Sequence, residues 1–495
     1  MKTATRIFLY VLVLSLSGCL PEERFWWSPD GTRAAVVVND QLHLVRADGE
    51  LGTPLIGSLG AEASLPKRVN WLPDGRGMVL HRVRKLATWE QARALISDDE
   101  VSRIERLATT MPSLLNAAAA FAGDADSLDT LLTTLSRSGR ELAPTAFFCA
   151  HAKQKAVLEA ALLAIPNGAA ILEKMRQEAT PFRVHEICLL MLREDRLEED
   201  PHALVRSVNP VLLPVVSPKF PVVAYWRMLG EEGKVGLEVC TLDGQSRLEV
   251  ARSTAATFDW SADGRSLVFA SPASGDDTLL HTIQRVTVLQ ESGALMEPRG
   301  DGEASPRKLA PPVNLALAIL PSPPRLAALP DGRVLFASVP ATLPAVSKEV
   351  NPEPRLFVIS ADGRSVQPVP TAPGDLPTNL SFFVVSPDGK RVAVVESATD
   401  AVAVVELATG RTEIVSPAHP DWQCRTLPNW KSATELTFAA LSGPKGKPQW
   451  MVWSPGIGAR GISDRWSPAA TEDWLSQKKA ADPVMVSPQT KRSSP

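Results

Sequence analysis

The side chains able to do chemistry are few and scattered along the chain. His185-Glu186 opens like a zinc-protease helix, in which two histidines four residues apart hold the metal and the glutamate activates water. The second histidine is replaced by Leu189. No Gly-x-Ser-x-Gly presents a serine nucleophile on a strained turn, and no glycine-rich loop is built to cradle a phosphate. Cys149 with His151, and His185 with Cys188, would offer thiolate and imidazole ligands if their segments converged. No cysteine pair has the Cys-x-x-Cys spacing of a dedicated zinc site. Cys149, Cys188, Cys240 and Cys424 therefore read as buried free thiols. Carboxylates also recur at fixed offsets, as Asp30, Asp74, Asp263, Asp331 and Asp388, which invites the idea of a ring of metal ligands. Each is followed by glycine (Gly31, Gly75, Gly264, Gly332, Gly389), and turn chemistry explains the pair. Aspartate bonds its own backbone, and glycine takes the positive φ that a tight reversal needs. The sequence thus offers no catalytic residue, no metal site and no cofactor site.

These pairs sit in a recurring phrase. Trp27-Ser28-Pro29-Asp30-Gly31, Trp71-Leu72-Pro73-Asp74-Gly75, Trp260-Ser261-Ala262-Asp263-Gly264, Ala328-Leu329-Pro330-Asp331-Gly332 and Val385-Ser386-Pro387-Asp388-Gly389 are clear copies. Val216-Ser217-Pro218-Lys219-Phe220 and Trp430-Lys431-Ser432-Ala433-Thr434 are degenerate ones. A short apolar or β-branched run follows each, such as residues 392–395, and the two sides read as a β-hairpin. A second polar turn closes several units, at Asp48-Gly49, Asp243-Gly244, Asp362-Gly363 and Thr409-Gly410. Trp27 to Trp71 and Val216 to Trp260 are each 44 residues, the size of one four-stranded propeller blade. The expected fold is mainly β, a seven-bladed propeller, or six-bladed if the second unit is incomplete. The repeated tryptophans are expected to pack between blades.

Over roughly residues 25–85 and 211–465 these copies resemble the TolB-type β-propeller repeat, a WD-like repeat with a Pro-Asp-Gly turn. The resemblance implies a periplasmic setting and protein partners. The chain departs from that family where its separate N-terminal α/β domain would lie, because the repeats begin within about ten residues of Cys19.

One step is far longer, the 145 residues from Trp71 to Val216. Within residues 87–208 the apolar period changes from 2 to 3.6. Leu128, Leu131, Leu132 and Leu135 follow a helical spacing behind Asp126, and Val184, Ile187, Cys188 and Met191 repeat it behind Pro181. Residues 157–163 and the alanines after Asn116 add further helical runs, with breaks at Met111-Pro112, Gly123-Asp124, Pro166-Asn167-Gly168 and Thr180-Pro181. The expectation is an α-helical domain of six or seven short helices inserted into blade 2. That blade's outer strands are not evident, although Leu204-Val205-Arg206 is one candidate. Residues 290–312 read as a mobile surface loop. Residues 466–495 read as a disordered tail with a short helix near 472–478. The domains expected are thus 1–18 as a signal peptide, 19–86 as blades 1 and 2, 87–208 as the insertion, 209–465 as the remaining blades, and the tail.

Lys2 and Arg6 precede the apolar residues 7–16, too short a run for a stable membrane-spanning helix. The run ends in Leu16-Ser17-Gly18-Cys19, which resembles the lipobox of bacterial lipoproteins. The resemblance implies acylation of Cys19, attachment of the mature protein to the membrane through that lipid, and, with Leu20 rather than aspartate next, the outer membrane facing the periplasm. A net charge of −3 speaks against a general nucleic-acid surface, and 42 prolines in 495 residues exceed the usual ~5% and suit a turn-rich fold. The functional expectation is a cell-envelope lipoprotein whose propeller is a scaffold for envelope proteins, with contacts on the helical insertion. The alternatives are a propeller enzyme (polysaccharide lyase or hydrolase) and a glycan or peptide sensor, each with its site in the central funnel.

Overall fold

Strand pairing partitions the described residues into seven consecutive antiparallel sheets, five of them four-stranded up-and-down meanders and two, the second and the last, five-stranded with one strand off that path. The computed structural model describes residues 25–38, 41–46, 51–56, 69–118, 128–137, 142–229, 234–255, 257–273, 280–298, 308–321, 324–339, 354–371, 382–396, 401–415, 422–424, 428–442 and 448–462. Cys19 and the 466–495 tail lie outside them, as does the side chain of Cys424. Blade 1 comprises Phe25–Trp27, Arg33–Val38, Gln41–Arg46 and Leu51–Ile56. Blade 3 comprises Val211–Val216, Val222–Leu229, Lys234–Thr241 and Arg247–Ala251, and blade 4 Phe258–Trp260, Ser266–Pro272, Leu280–Thr287 and Val313–Ile319. Blade 5 runs from Leu326–Ala328 to Val366–Pro368, blade 6 from Phe383–Val385 to Thr412–Ile414, and blade 7 from Trp422–Cys424 to Gly458–Gly461. The count is seven, because blade 2 is complete.

Sandwiching each sheet between two others explains the apolar runs. A strand buried on both faces has no solvent side, so alternation disappears. In the second strand of blade 3, Val222, Ala224 and Trp226 pack toward Phe258 and Trp260 of blade 4. The intervening Val223 and Tyr225 pack against Val79, Ile187 and Val205 of blade 2. Residues 267–270, 334–337 and 392–395 are buried in the same unbroken way.

The insertion is shorter than the sequence suggests. Six helices are described: α1 (Trp89–Arg93), α2 (Asp98–Ala118), α3 (Leu128–Arg137), α4 (Ala143–Lys153), α5 (Lys155–Leu163) and α6 (Gly168–Gln177). The helix expected around Val184 to Met191 is instead the twelve-residue strand Phe182–Arg193. That strand pairs residue for residue with Gly77–Leu86 and on its other edge with His202–Ser207. Phe182–Arg193 is missing from the sequence reading and His202–Ser207 contains its candidate Leu204-Val205-Arg206, so residues 182–207 belong to blade 2 and not to the helical domain. The expected break at Pro112 is also absent, because α2 runs through it. Proline has no N–H for the carbonyl four residues back, and the Gln154 side chain fills the gap, donating Nε2 to the Ala108 carbonyl at 2.6 Å.

The stretch 290–312 is more ordered than a free loop. Leu289 and Leu309 are fully or nearly buried in the blade 3–4 core, Leu295 and Met296 pack on them, and Glu297 bridges to Lys308. Only part of it, residues 299–307, lies outside the described segments.

Candidate functional site

The predicted turn residues line one rim of the ring, where the first strand of a blade turns into the second. Gly31, Gly75, Gly264, Gly332 and Gly389 have φ of 66, 70, 70, 88 and 67°. Asp388 accepts the Ser386 hydroxyl at 2.6 Å and the Lys390 N–H at 3.1 Å, and Asp30 accepts the Ser28 hydroxyl, Thr32 N–H and Thr32 hydroxyl. Asp263 takes the Ser261 hydroxyl and Arg265 N–H, Asp331 the Arg333 N–H and guanidinium, and Asp74 the Arg76 N–H. Each carboxylate is engaged within its own turn. Among the described residues no three His, Cys, Asp or Glu side chains converge as a metal site.

The two Cys/His pairs do not meet. Cys149 sits in the core of the insertion, and His151 reaches Glu159 at 3.3 Å. Cys188 lies between blades 1 and 2, while His185 points to the other face of the same strand, its ring 3.1 Å from His81. Burial pushes the thiols of Cys149, Cys188 and Cys240 up to about 11, 12 and 12, so they are inert thiols and not thiolates. Along the innermost strands of the funnel, Asp259 is the one ionisable side chain among the described residues. Both its oxygens accept backbone N–H groups, from Trp260 at 2.9 Å and Ala328 at 3.1 Å.

The insertion stands on an extension of blade 2, from the rim opposite the Asp-Gly turns. Its core closes over Phe182, Val184 and Val208 of the blade, with Trp89 and Phe148 packed on the Phe182 ring. A capping box of Thr88 and Gln91 starts α1. In the first turn of α2, buried Glu100 accepts the Ser207 hydroxyl at 2.8 Å and the Val208 N–H at 2.9 Å, fastening the helical unit to the last strand of the blade. Glu105 joins α1, α2 and α4. Lys153 first, and then the Trp89 indole, hold its carboxyl below the ordinary carboxylate range.

With its core closed in this way, the insertion still leaves apolar side chains outside. An open groove of about 520 Å³ runs between α2 and α5, lined by Pro112, Asn116, Ala156, Val157, Ala160 and Ala161. Val157 is 57% exposed, and Leu163 on the same helix 59%. Small residues on α5, Ala156, Ala160 and Ala161, leave the helix backbone thinly covered along the groove. Of the apolar stretch expected at 117–121, residues 119–121 lie outside the described segments. The polar pairings of blade 2 were not legible in the sequence, because Arg82, Glu186 and Arg206 become neighbours only through strand register.

The sheets define the molecule as a seven-bladed β-propeller carrying a helical insertion. No protein-family profile matches the chain, and no curated protein sequence matches it. Among solved structures it is similar to TolB from Acinetobacter baumannii, at 18% identity over 55% of this chain and TM-score 0.34, and it spans 57% of that protein. An oligogalacturonate lyase in complex with manganese aligns at 12% identity over 77% of this chain and 74% of its own, with TM-score 0.41. The Cps50 (Swd1) β-propeller domain of Myceliophteria thermophila aligns at 10% identity over 88% of this chain and 96% of its own, with TM-score 0.43. Among the described residues no helix is long and apolar enough to cross a membrane.

Proposed function

We propose that this protein is a lipid-anchored scaffold of the bacterial cell envelope whose propeller holds the helical insertion out toward a protein partner. The observation that carries this reading is the exposed Val157 and Leu163 beside an apolar groove, on a unit whose own core is already complete. Exposed apolar residues gathered beside a groove are the kind of surface that contacts use when they form a contiguous patch. The occupant is an apolar segment of an envelope protein. Acylated Cys19, outside the described residues, supplies the membrane attachment.

Val157→Glu and Leu163→Glu change exposed positions and leave the fold intact, so crosslinking in intact membranes tests the surface directly. Loss of captured partners with an unchanged melt supports the reading. An unchanged partner set places the contacts elsewhere. Cys19→Ala tests the anchor: the protein should stay unprocessed or leave the membrane fraction. A cleaved Cys19→Ala protein that still sediments with membranes after a high-salt wash rules the lipid out.

A further inference from the structure

Where blade 2 rises toward the insertion, one carboxylate is ringed by three guanidinium groups. Glu186 is wholly buried, and Arg82, Arg84 and Arg206 each donate Nε to it, at 2.5, 3.1 and 2.9 Å. The arrangement follows from register. Arg82, Glu186 and Arg206 form one cross-strand row, and Arg84 stands two residues along on the same face as Arg82. The Cys188 thiol, kept protonated by burial, faces the same Oε2 at 3.8 Å.

One carboxylate balances one guanidinium, so two positive charges are left in excess. Placing like charges on neighbouring strands is destabilising unless something compensates them. Burying Glu186 alone does not call for three arginines. Each arginine spends only its Nε on Glu186, and no other hydrogen-bond partner of the three is found among the described residues. The terminal amino groups are therefore left over. They are not sealed in, because the side chains of Arg82, Arg84 and Arg206 are 13, 40 and 38% exposed. Glu186 thus acts as a strut that pins three guanidinium forks at a common point, with their outer edges toward solvent. Prepositioned forks are the arrangement that binds multi-oxygen anions tightly.

We propose that Arg82, Arg84 and Arg206, held by Glu186, form a binding site for a phosphate group. A phosphate monoester carries about −1.5 to −2 charge at neutral pH, which matches the two excess positive charges, and its three oxygens can engage three forks where a carboxylate has only two. The group could be free phosphate or a phospholipid headgroup. This inference stands independently of the partner surface on α5.

The test is calorimetric titration of the full chain with inorganic phosphate, in chloride buffer of matched ionic strength. A second arm uses short-chain phosphatidic acid below its micelle concentration. Saturable binding to either probe is expected, and the probe that binds identifies the source. Arg84→Gln and Arg206→Gln should each weaken it by about tenfold or more, as loss of a charged hydrogen bond implies. Arg84→Lys and Arg206→Lys keep the charge and remove the fork, so they stay folded and still lose most of the affinity. No saturable heat with either probe overturns the proposal. So does parental affinity in the Arg84→Lys/Arg206→Lys double variant.

Discussion

The indole N–H of Trp27 donates to the Thr437 hydroxyl oxygen at 2.8 Å, joining residues 410 apart in sequence. This bond lies on the seam of the ring. Among the described residues blades 7 and 1 share no strand, so side-chain contacts close the circle there. Phe25 packs on Trp450 with ring centroids 4.8 Å apart and planes tilted by 35°, Lys431 lies over the Trp27 ring, and the Thr437 hydroxyl in turn donates to the Asn429 carbonyl. Trp27→Phe should cost about 1–2 kcal/mol, the worth of a buried hydrogen bond plus lost packing. Thr437→Val conserves shape and removes both an acceptor and a donor, so it should cost at least as much. Urea unfolding reads both. If the seam variants melt like the parent, closure does not depend on this bond.

The tryptophans at the other interfaces use a related device. Trp71, Trp260 and Trp430 each donate to a carbonyl on the first strand of the preceding blade, Trp26, Val215 and Val384, at 2.8–3.0 Å. At two interfaces where the following blade has no tryptophan there, the following blade still donates, but from its backbone to a side chain of the preceding blade. The N–H of Val216 donates to Asn70, and that of Ala328 to Asp259. The 44-residue step and the repeated Trp made the ring and its packing legible, because each signal is local and recurs. Blade 2 was illegible for a physical reason. A strand buried on both faces puts apolar residues at nearly every position, so Val184, Ile187, Cys188 and Met191 satisfy a helical spacing as well as an extended one. Its partner, Gly77–Leu86, lies about a hundred residues earlier, across six helices. The arginine ring around Glu186 and the His81–His185 pair were hidden with it, since both exist only once that register is set.

Gly389 separates backbone strain from crowding. Its φ is 67°, and a Cβ there would meet Pro330 Cδ of the preceding blade at 2.5 Å. Gly456 has a similar φ of 74°, and a Cβ there would meet no described residue within 4 Å. Gly456→Ala should therefore cost about 1 kcal/mol from conformation alone, and Gly389→Ala clearly more, with Gly389→Val worse again. Equal losses at the two positions would show that the approach of blade 5 to this turn is not tight.

The turn aspartates give the propeller an acid-sensitive component. At Asp30 the Ser28 hydroxyl, and then the Thr32 donors, depress the carboxyl below its ordinary 3.8 despite some burial. At Asp388 burial works against the charge, but the Ser386 hydroxyl and Lys390 N–H outweigh it, and the carboxyl is again lowered. A depressed folded value means stability that is fully present above the unfolded value, about 3.9, and lost as pH falls through the lower folded one. Asp30→Asn/Asp388→Asn should be less stable than the parent at pH 6, and the gap should narrow toward pH 3. Urea midpoints across that range check it. A gap that stays constant would mean the turn carboxylates are not protonating in this window.

Gln154 offers the sharpest handle on the insertion. It sits at the junction of α4 and α5, and its Nε2 takes over the Ala108 carbonyl that Pro112 cannot serve. That one contact ties the middle of α2 to the start of α5, the two helices whose faces form the apolar groove. Gln154→Leu keeps the bulk and leaves the carbonyl without its side-chain donor, at a cost of about 1–3 kcal/mol. Adding Pro112→Ala restores an N–H to α2, so the double variant should recover most of the loss. Recovery in that order is specific, because a merely space-filling glutamine would not respond to the proline. If Gln154→Leu is equally destabilising with and without Pro112, the carbonyl is not what Gln154 serves. Partner capture should follow the same order if the groove is the contact surface, since its width depends on how α2 and α5 are held.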